Sequence, residues 1–268
     1  MPGYGLGYSS LVNRSIFSSG PSVDPNAQAF ITAAGITDPN QQSAINQLVV
    51  DLKGYGIWTK MKALYPFVGG TSSSHKWNLK NPLDTDAAFR LVFNGGVTHS
   101  SNGILPNGTN GYANTYYNPF NNLSDINSNH ISIYSRTNVS GGIDMGGGAG
   151  AVLVDLETKY SGTSYNWNMA SFHTHTNTDS TGHYINTRTA SNAFKLIKNG
   201  STTLGSSTGS AGATKPNNNY YIGVRNYDAT YANREYAFAS IGDGLNDTEA
   251  ANFYTAVQTF QTTLGRNV

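Results

Sequence analysis

Two short amphipathic segments open the hydrophobic pattern. Asp24-Pro25 places an N-cap before a proline at the first helical position, and Phe30, Ile31 and Ala34 then share one face up to Gly35. Asp38-Pro39 repeats the device, with Gln41 placed for a capping box. Ile45, Leu48, Val49 and Leu52 follow at helical spacing, and Gly54 ends the run. The spacing predicts a helical hairpin over residues 24–56. From Ile57 to Ala239 the pattern changes to short apolar or alternating runs, separated by Gly, Asn, Ser and Thr clusters every roughly 8–15 residues. These runs predict strands at Lys60–Val68, Phe89–Phe93, Tyr112–Tyr117, Ile131–Arg136, Ala151–Leu156, Tyr165–Met169, His183–Thr189, Phe194–Lys198, Tyr220–Arg225 and Tyr236–Ile241. Asn199-Gly200 marks a hairpin turn. A last helix starts at Asn246 or Asp247, with Glu249 in its first turn. Ala250, Phe253, Tyr254, Val257, Phe260 and Leu264 form its stripe, Gly265 its stop, and Arg266 sits at its negative end.

Strands in series without helices between them predict a mainly β fold, a two-sheet sandwich or jelly roll. Residues 57–268 would form that sandwich and its C-terminal helix, as one globular unit with the hairpin. Residues 1–23 show no periodicity; Pro2-Gly3-Tyr4-Gly5-Leu6-Gly7-Tyr8 suits an extended arm or a frayed end.

Composition narrows the function classes. Asn, Ser and Thr make up 85 of the 268 residues, whereas charged residues are only 12% and the net charge is +1. Such a surface is uncharged but rich in hydrogen-bonding groups. No basic stripe points to nucleic acid. No apolar run nears the ~18–20 residues that span a bilayer, and no signal-peptide pattern opens the chain. The absence of cysteine excludes thiol catalysis and cysteine-held metal clusters.

Catalytic chemistry finds little support. Only Glu157, Glu235 and Glu249 are present as glutamates. Asp155 and Glu157 share one face of a strand, as a glycosidase pair would, but no third acid follows. No Gly-x-Ser-x-Gly elbow occurs, and Gly146-Gly147-Gly148-Ala149-Gly150 reads as a flexible hairpin tip rather than a phosphate loop. His173 and His175 with His183 form the one metal-like group, but the tract around them reads first as polar loop residues beside a strand end. No Asp-x-Asp-x-Asp string supports calcium. The expectation is a protein without enzymatic activity, metal or cofactor. Tyr116, Tyr117, Tyr165 and Trp167 stand among asparagines and are the candidate ligand surface. Sugars stack on aromatic faces while amides read their hydroxyl groups. Packing in a core or between subunits is the competing role for these four.

Three ordered pieces near the C-terminus carry a family likeness: Phe194–Gly200 with its Asn-Gly turn, Tyr220-Tyr221-Ile222-Gly223-Val224-Arg225, and Tyr236–Gly242 running into the Asn246-capped helix. In order and spacing they resemble the concanavalin A-like, laminin-G-like jelly roll. A second resemblance rests on Ala29–Asp38, on Gly54-Tyr55-Gly56-Ile57-Trp58 through Gly70, on His75–Lys80 with Asp86–Leu91, and on Leu105–Ala113 and Tyr134–Thr137. Together these look like a module of bacteriophage fibre and tail-associated proteins, including those of phages of Bacteroidetes, over about residues 27–268. The resemblance implies a structural component on the virion exterior. Its partners would be other virion proteins, its own copies in a homo-oligomer, and a host-surface glycan. A purely architectural protein and a polysaccharide depolymerase are the alternatives.

Overall fold

The computed structural model describes Met1 and residues 23–227 and 229–268. Apart from Met1 and Val23, the arm expected over residues 1–23 lies outside them. Both N-terminal helices form where the caps place them. In α1 (Pro25–Ala34) the Asp24 carboxylate accepts from the Asn26 amide at 2.9 Å, and Gly35 closes the helix at φ 65°. Asp24 also receives Lys53 Nζ at 2.7 Å from the last turn of α2 (Pro39–Gly54), which ties the hairpin together. Asp38 caps α2 through the Asn40 and Gln41 amides. The expected capping box does not close, because the Gln41 side chain accepts from the Gly69 amide instead.

Among the described residues sixteen strands follow: β1 (Met61–Tyr65), β2 (Val92–Asn94), β3 (Val97–Ser100), β4 (Gly103–Pro106), β5 (Tyr112–Asn114), β6 (Asn129–Ser135), β7 (Met145–Ala149), β8 (Val152–Tyr160), β9 (Thr163–Met169), β10 (Ser171–Thr176), β11 (Gly182–Ala190), β12 (Ala193–Lys198), β13 (Thr202–Ser207), β14 (Tyr221–Ile222), β15 (Arg225–Asn226) and β16 (Tyr236–Gly242). Single helical turns α3 (Ser72–His75) and α4 (Pro119–Asn122) lie between strands, and α5 (Asp247–Thr263) comes last. The Asn246 side chain and Glu249 form a reciprocal capping box at the start of α5.

The strands make two sheets. Sheet A runs β13-β12-β11-β6-β16-β4-β3, with β1 also on β16; sheet B runs β10-β9-β8-β7-β14-β5-β2, with β15 beside β7. Every pairing is antiparallel except β15 with β7. This is the mainly β sandwich expected, and each of the ten predicted runs overlaps a strand, the run Phe89–Phe93 by only two residues. Two apolar cores divide the molecule into layers. One joins Phe30, Leu48, Leu52, Phe253, Val257 and Phe260 of the helices to Tyr134, Ile185, Ile197 and Phe238 of sheet A. The other fills the space between the sheets with Ile131, Ile133, Val154, Leu156, Leu196, Tyr184 and Ile222, and contains no residue of α1, α2 or α5. Sheet A is therefore covered on both faces, while sheet B packs against sheet A by its inner face alone. Each fully buried Leu, Ile or Phe contributes about 1.5–3 kcal/mol to this arrangement.

The glycine run expected as a flexible tip is strand β7. Its lack of side chains is a packing requirement. A Cβ on Gly146 would lie 2.5 Å from the Val154 carbonyl, and one on Gly147 would lie 2.7 Å from the Asn219 carbonyl and 2.9 Å from the Tyr220 ring.

Arginine locks the irregular segments. Arg188, Arg234 and Arg266 are the largest fully buried side chains. Arg266 does more than face the end of α5. Its guanidinium donates to the carbonyls of Pro66, Phe67 and Ala237, and its Nε to Gln261 Oε1 at 2.6 Å. Burial lowers its pKa to about 9, with Arg136 adding to the drop and Glu235 opposing it.

Candidate functional site

Alternation along β8 and β9 creates the candidate site. Val154 and Leu156 point into the inter-sheet core, which turns Asp155 and Glu157 to the outer face of sheet B. On β9, Asn166 and Asn168 are buried and Tyr165 and Trp167 face out. Antiparallel register then aligns two rows. Asp155, Trp167 and Phe172 lie opposite one another across β8, β9 and β10; Glu157, Tyr165 and Thr174 do the same. All of these but Thr174, with Tyr160, Arg225, Ile143 and Thr230, line an open pocket of about 480 Å³.

Its aromatic wall is continuous. Trp167 and Phe172 lie 4.7 Å apart between ring centroids, Phe172 stacks with Tyr165 at 6.3 Å, and Tyr165 meets Tyr160 edge-on at 5.9 Å. Phe172 and Tyr160 are exposed, Tyr165 and Trp167 half-buried. Contiguous aromatic rings that reach the surface in one strip offer an apolar contact surface.

The polar floor is two carboxyl groups in different settings. Asp155 Oδ2 receives Arg225 Nη1 at 2.5 Å, and its Oδ1 accepts from the Trp167 amide at 2.9 Å. Glu157 has one carboxyl oxygen, Oε1, buried with no hydrogen-bond partner. Burial pushes its pKa up to about 7, with Asp144 and Asp155 adding to the rise and Arg234 and Arg225 opposing it. Near neutral pH Glu157 is thus present in both forms, able to donate or to accept. Rings for the C–H face of a sugar and carboxyl and guanidinium groups for its hydroxyls stand within one cavity.

Of the four residues named from sequence, Tyr165 and Trp167 meet in this pocket. Tyr117 does not belong to any surface. It is 1% exposed and packs against Phe89 and Tyr220 in the inter-sheet core. The parity of the segment explains this: Ala113, Thr115 and Tyr117 are all buried, so Tyr117 falls on the inner side. Tyr116 is half-buried at φ 56°, lies outside the pocket and sits near Tyr221. Phe172 and Tyr160 were not anticipated. Phe172 heads the polar run His173-Thr174-His175-Thr176, which hides a strand, and Tyr160 closes β8 four residues past Leu156.

The histidines separate. His173 and His175 share a face of β10, their rings 6.2 Å apart. His183 is fully buried on β11 in the other sheet, against Phe238 and Phe253, and cannot join them. It ends a chain of buried hydrogen bonds instead: His183 Nε2 to Ser132 Oγ at 3.1 Å, Ser132 Oγ to Ser240 Oγ at 2.6 Å, and Ser240 Oγ to His130 Nε2 at 3.0 Å. Among the described residues no group of three or more His, Cys, Asp or Glu is placed to hold a metal ion, and no helix is long and apolar enough to cross a membrane.

No protein-family model matches the chain, and no curated protein matches it in sequence. Solved structures do match in fold. The chain is similar to a mutant of Trypanosoma rangeli sialidase displaying trans-sialidase activity, at 12% identity and a TM-score of 0.50, over 82% of this chain and 39% of that one. It is also similar to domain 4 of an extracellular arabinanase from Geobacillus stearothermophilus, solved in complex with arabinotriose, at 15% identity and a TM-score of 0.45, over 72% of this chain and 98% of that domain. At 12% identity the likeness to the sialidase speaks to the fold, a β-sandwich, and to nothing finer.

Proposed function

We propose that this chain is a carbohydrate-binding β-sandwich module whose site is the outer face of sheet B. One observation carries the reading: a continuous aromatic strip, exposed at Tyr160 and Phe172 and half-buried at Tyr165 and Trp167, borders the Asp155–Arg225 pair and the carboxyl of Glu157 in a single pocket. The resemblance of residues 27–268 to phage fibre and tail-associated modules supports a finer placement. In it the module is a homo-oligomeric component of a virion exterior and engages host-surface glycan. Low charge suits that role, since few charges make binding insensitive to salt.

A glycan array probed with the purified chain tests the binding, and mass spectrometry of purified virions tests the placement. A specific hit that Trp167→Ala abolishes, with the fold kept, supports the module. No hit, together with these rings buried between copies in an assembled particle, overturns it in favour of a purely architectural role.

A second reading, hydrolysis of the bound polysaccharide, has one observation in its favour. Glu157 is held near neutrality two residues from Asp155 on one strand, about 7 Å along the backbone. That falls within the spacing of glycosidase carboxyl pairs, roughly 5–9.5 Å. Both oxygens of Asp155 are engaged by Arg225 and the Trp167 amide, which favours binding over catalysis. New reducing ends that vanish with Glu157→Gln would reverse that preference.

A further inference from the structure

We propose that the site continues across sheet B as a groove for an uncharged linear polysaccharide, with Tyr112, Tyr221 and Tyr231 as its second aromatic platform. The proposal rests on the sugar-binding reading and specifies the form of the sugar.

Register places both platforms on one face. Trp167 lies opposite Asp155, Asp155 opposite Gly146, and Gly146 opposite Tyr221. Residues directly opposite one another share a face, so Tyr221 faces the same way as Trp167. Its neighbour Ile222 is buried in the inter-sheet core, as the alternation requires. On β5, Ala113 is likewise buried and Tyr112 and Asn114 face out. Tyr112 stacks on Tyr221 with centroids 4.6 Å apart, and Tyr231 lies 6.4 Å from Tyr112. All three are half-buried. The Asn114 and Asn219 amides, 3.3 Å apart, supply hydrogen-bonding groups beside the rings.

The ground between the platforms is polar. Three strand steps separate Trp167 from Tyr221, about 14 Å. Gly146, two steps from Trp167 and one from Tyr221, has no side chain, and the Arg225–Asp155 pair lies across that level. Ile143 lines the first pocket and bridges to Tyr231 of the second platform, so the wall is shared.

Two features select the occupant. A single sugar ring cannot reach both platforms, whereas an extended chain of pyranose rings can. The charges of the face are largely balanced internally, since Asp155 is matched by Arg225 and burial leaves Glu157 only partly ionised near pH 7. A polyanion would meet two carboxyl groups, and a polycation would compete with Arg225. An uncharged chain meets rings, amides and carboxyl groups without either cost.

The test is calorimetry with uncharged oligosaccharides of the cello-, xylo-, arabino-, malto- and laminari- series, from disaccharide to octasaccharide. Affinity is expected to rise with length until both platforms are spanned. Tyr221→Ala, and independently Tyr231→Ala, should then cost about tenfold for the long members and leave the short ones unchanged. A thermal melt of each variant confirms its fold. Length-independent binding lost on Trp167→Ala but indifferent to both tyrosines overturns the groove and leaves the sugar-binding reading standing. Preference for charged oligosaccharides overturns the choice of occupant. Absence of binding across all the series overturns the groove and the sugar-binding reading together.

Discussion

Arg234 Nη1 donates to Asp144 Oδ1 at 2.6 Å, with both side chains fully buried. The same Asp144 oxygen accepts the Tyr236 hydroxyl at 2.5 Å, and the Arg234 guanidinium continues to the carbonyls of Val139, Gly142 and Lys159. One buried cation thus fastens the 139–142 loop to the end of β8, next to the site. Arg234→Met is expected to cost about 3–5 kcal/mol, because it leaves the Asp144 carboxylate buried and unpaired. Urea denaturation measures this, and Asp144→Asn combined with Arg234→Met should recover part of the loss.

Tyr117 and Trp167 should respond oppositely to truncation. Tyr117→Ala opens a cavity between the sheets and lowers stability by about 3–5 kcal/mol. Trp167→Ala, on the outer face, should leave the melting temperature nearly unchanged and remove sugar binding. The Tyr117 hydroxyl is buried without a hydrogen-bond partner, so Tyr117→Phe is expected to stabilise by about 1 kcal/mol. Equal melting temperatures for the Phe and wild-type chains would contradict that.

Acid should weaken the fold through three buried histidines. Desolvation lowers the pKa of His183 to about 3, that of His75 to about 3, and that of His130 to about 4; His99 and Arg266 add to the effect on His75. The unfolded chain takes up these protons near pH 6.5, the folded chain only well below it. Stability is therefore complete above about 6.5 and falls as pH drops toward 4, by up to about 1.4 kcal/mol per pH unit for each ring. Denaturation midpoints across that window check the slope. His183→Phe should flatten part of it.

Glu157 works with the opposite sign. Its folded pKa is raised from 4.5 to about 7, so its protonated form favours the folded state at low pH and that contribution is lost as pH rises through 7. Glu157→Gln should raise the melting temperature at about pH 8 and leave it unchanged at about pH 4. A stabilisation independent of pH would show that the carboxyl is not held near neutrality.

Much of the scaffold could be read from residue types. Asp24-Pro25, Asp38-Pro39 and Asn246 through Glu249 fix helix starts by local chemistry, and the alternation of Tyr165 and Trp167 with asparagines marks a strand with one side out. Strands β7 and β10 were illegible for opposite reasons. The glycines of β7 are dictated by the Val154 and Asn219 carbonyls, long-range neighbours that no local pattern shows. The residues of β10 are too polar to mark an inner and an outer side. The site was half legible: Asp155, Glu157, Tyr165 and Trp167 declare their shared face by spacing. Arg225 and Tyr231 reach that face from loops and partner strands, and only the fold brings them there.

The helices sit on the far side of the sandwich from the aromatic face, with two sheets between them, each spacing roughly 10 Å. Whatever grips α1, α2 and α5 therefore cannot shade the proposed sugar-binding face. Copies mounted by that side on a common support would all present their grooves outward. Weak single contacts would then add up to avidity on a repetitive polymer without any change in the groove itself.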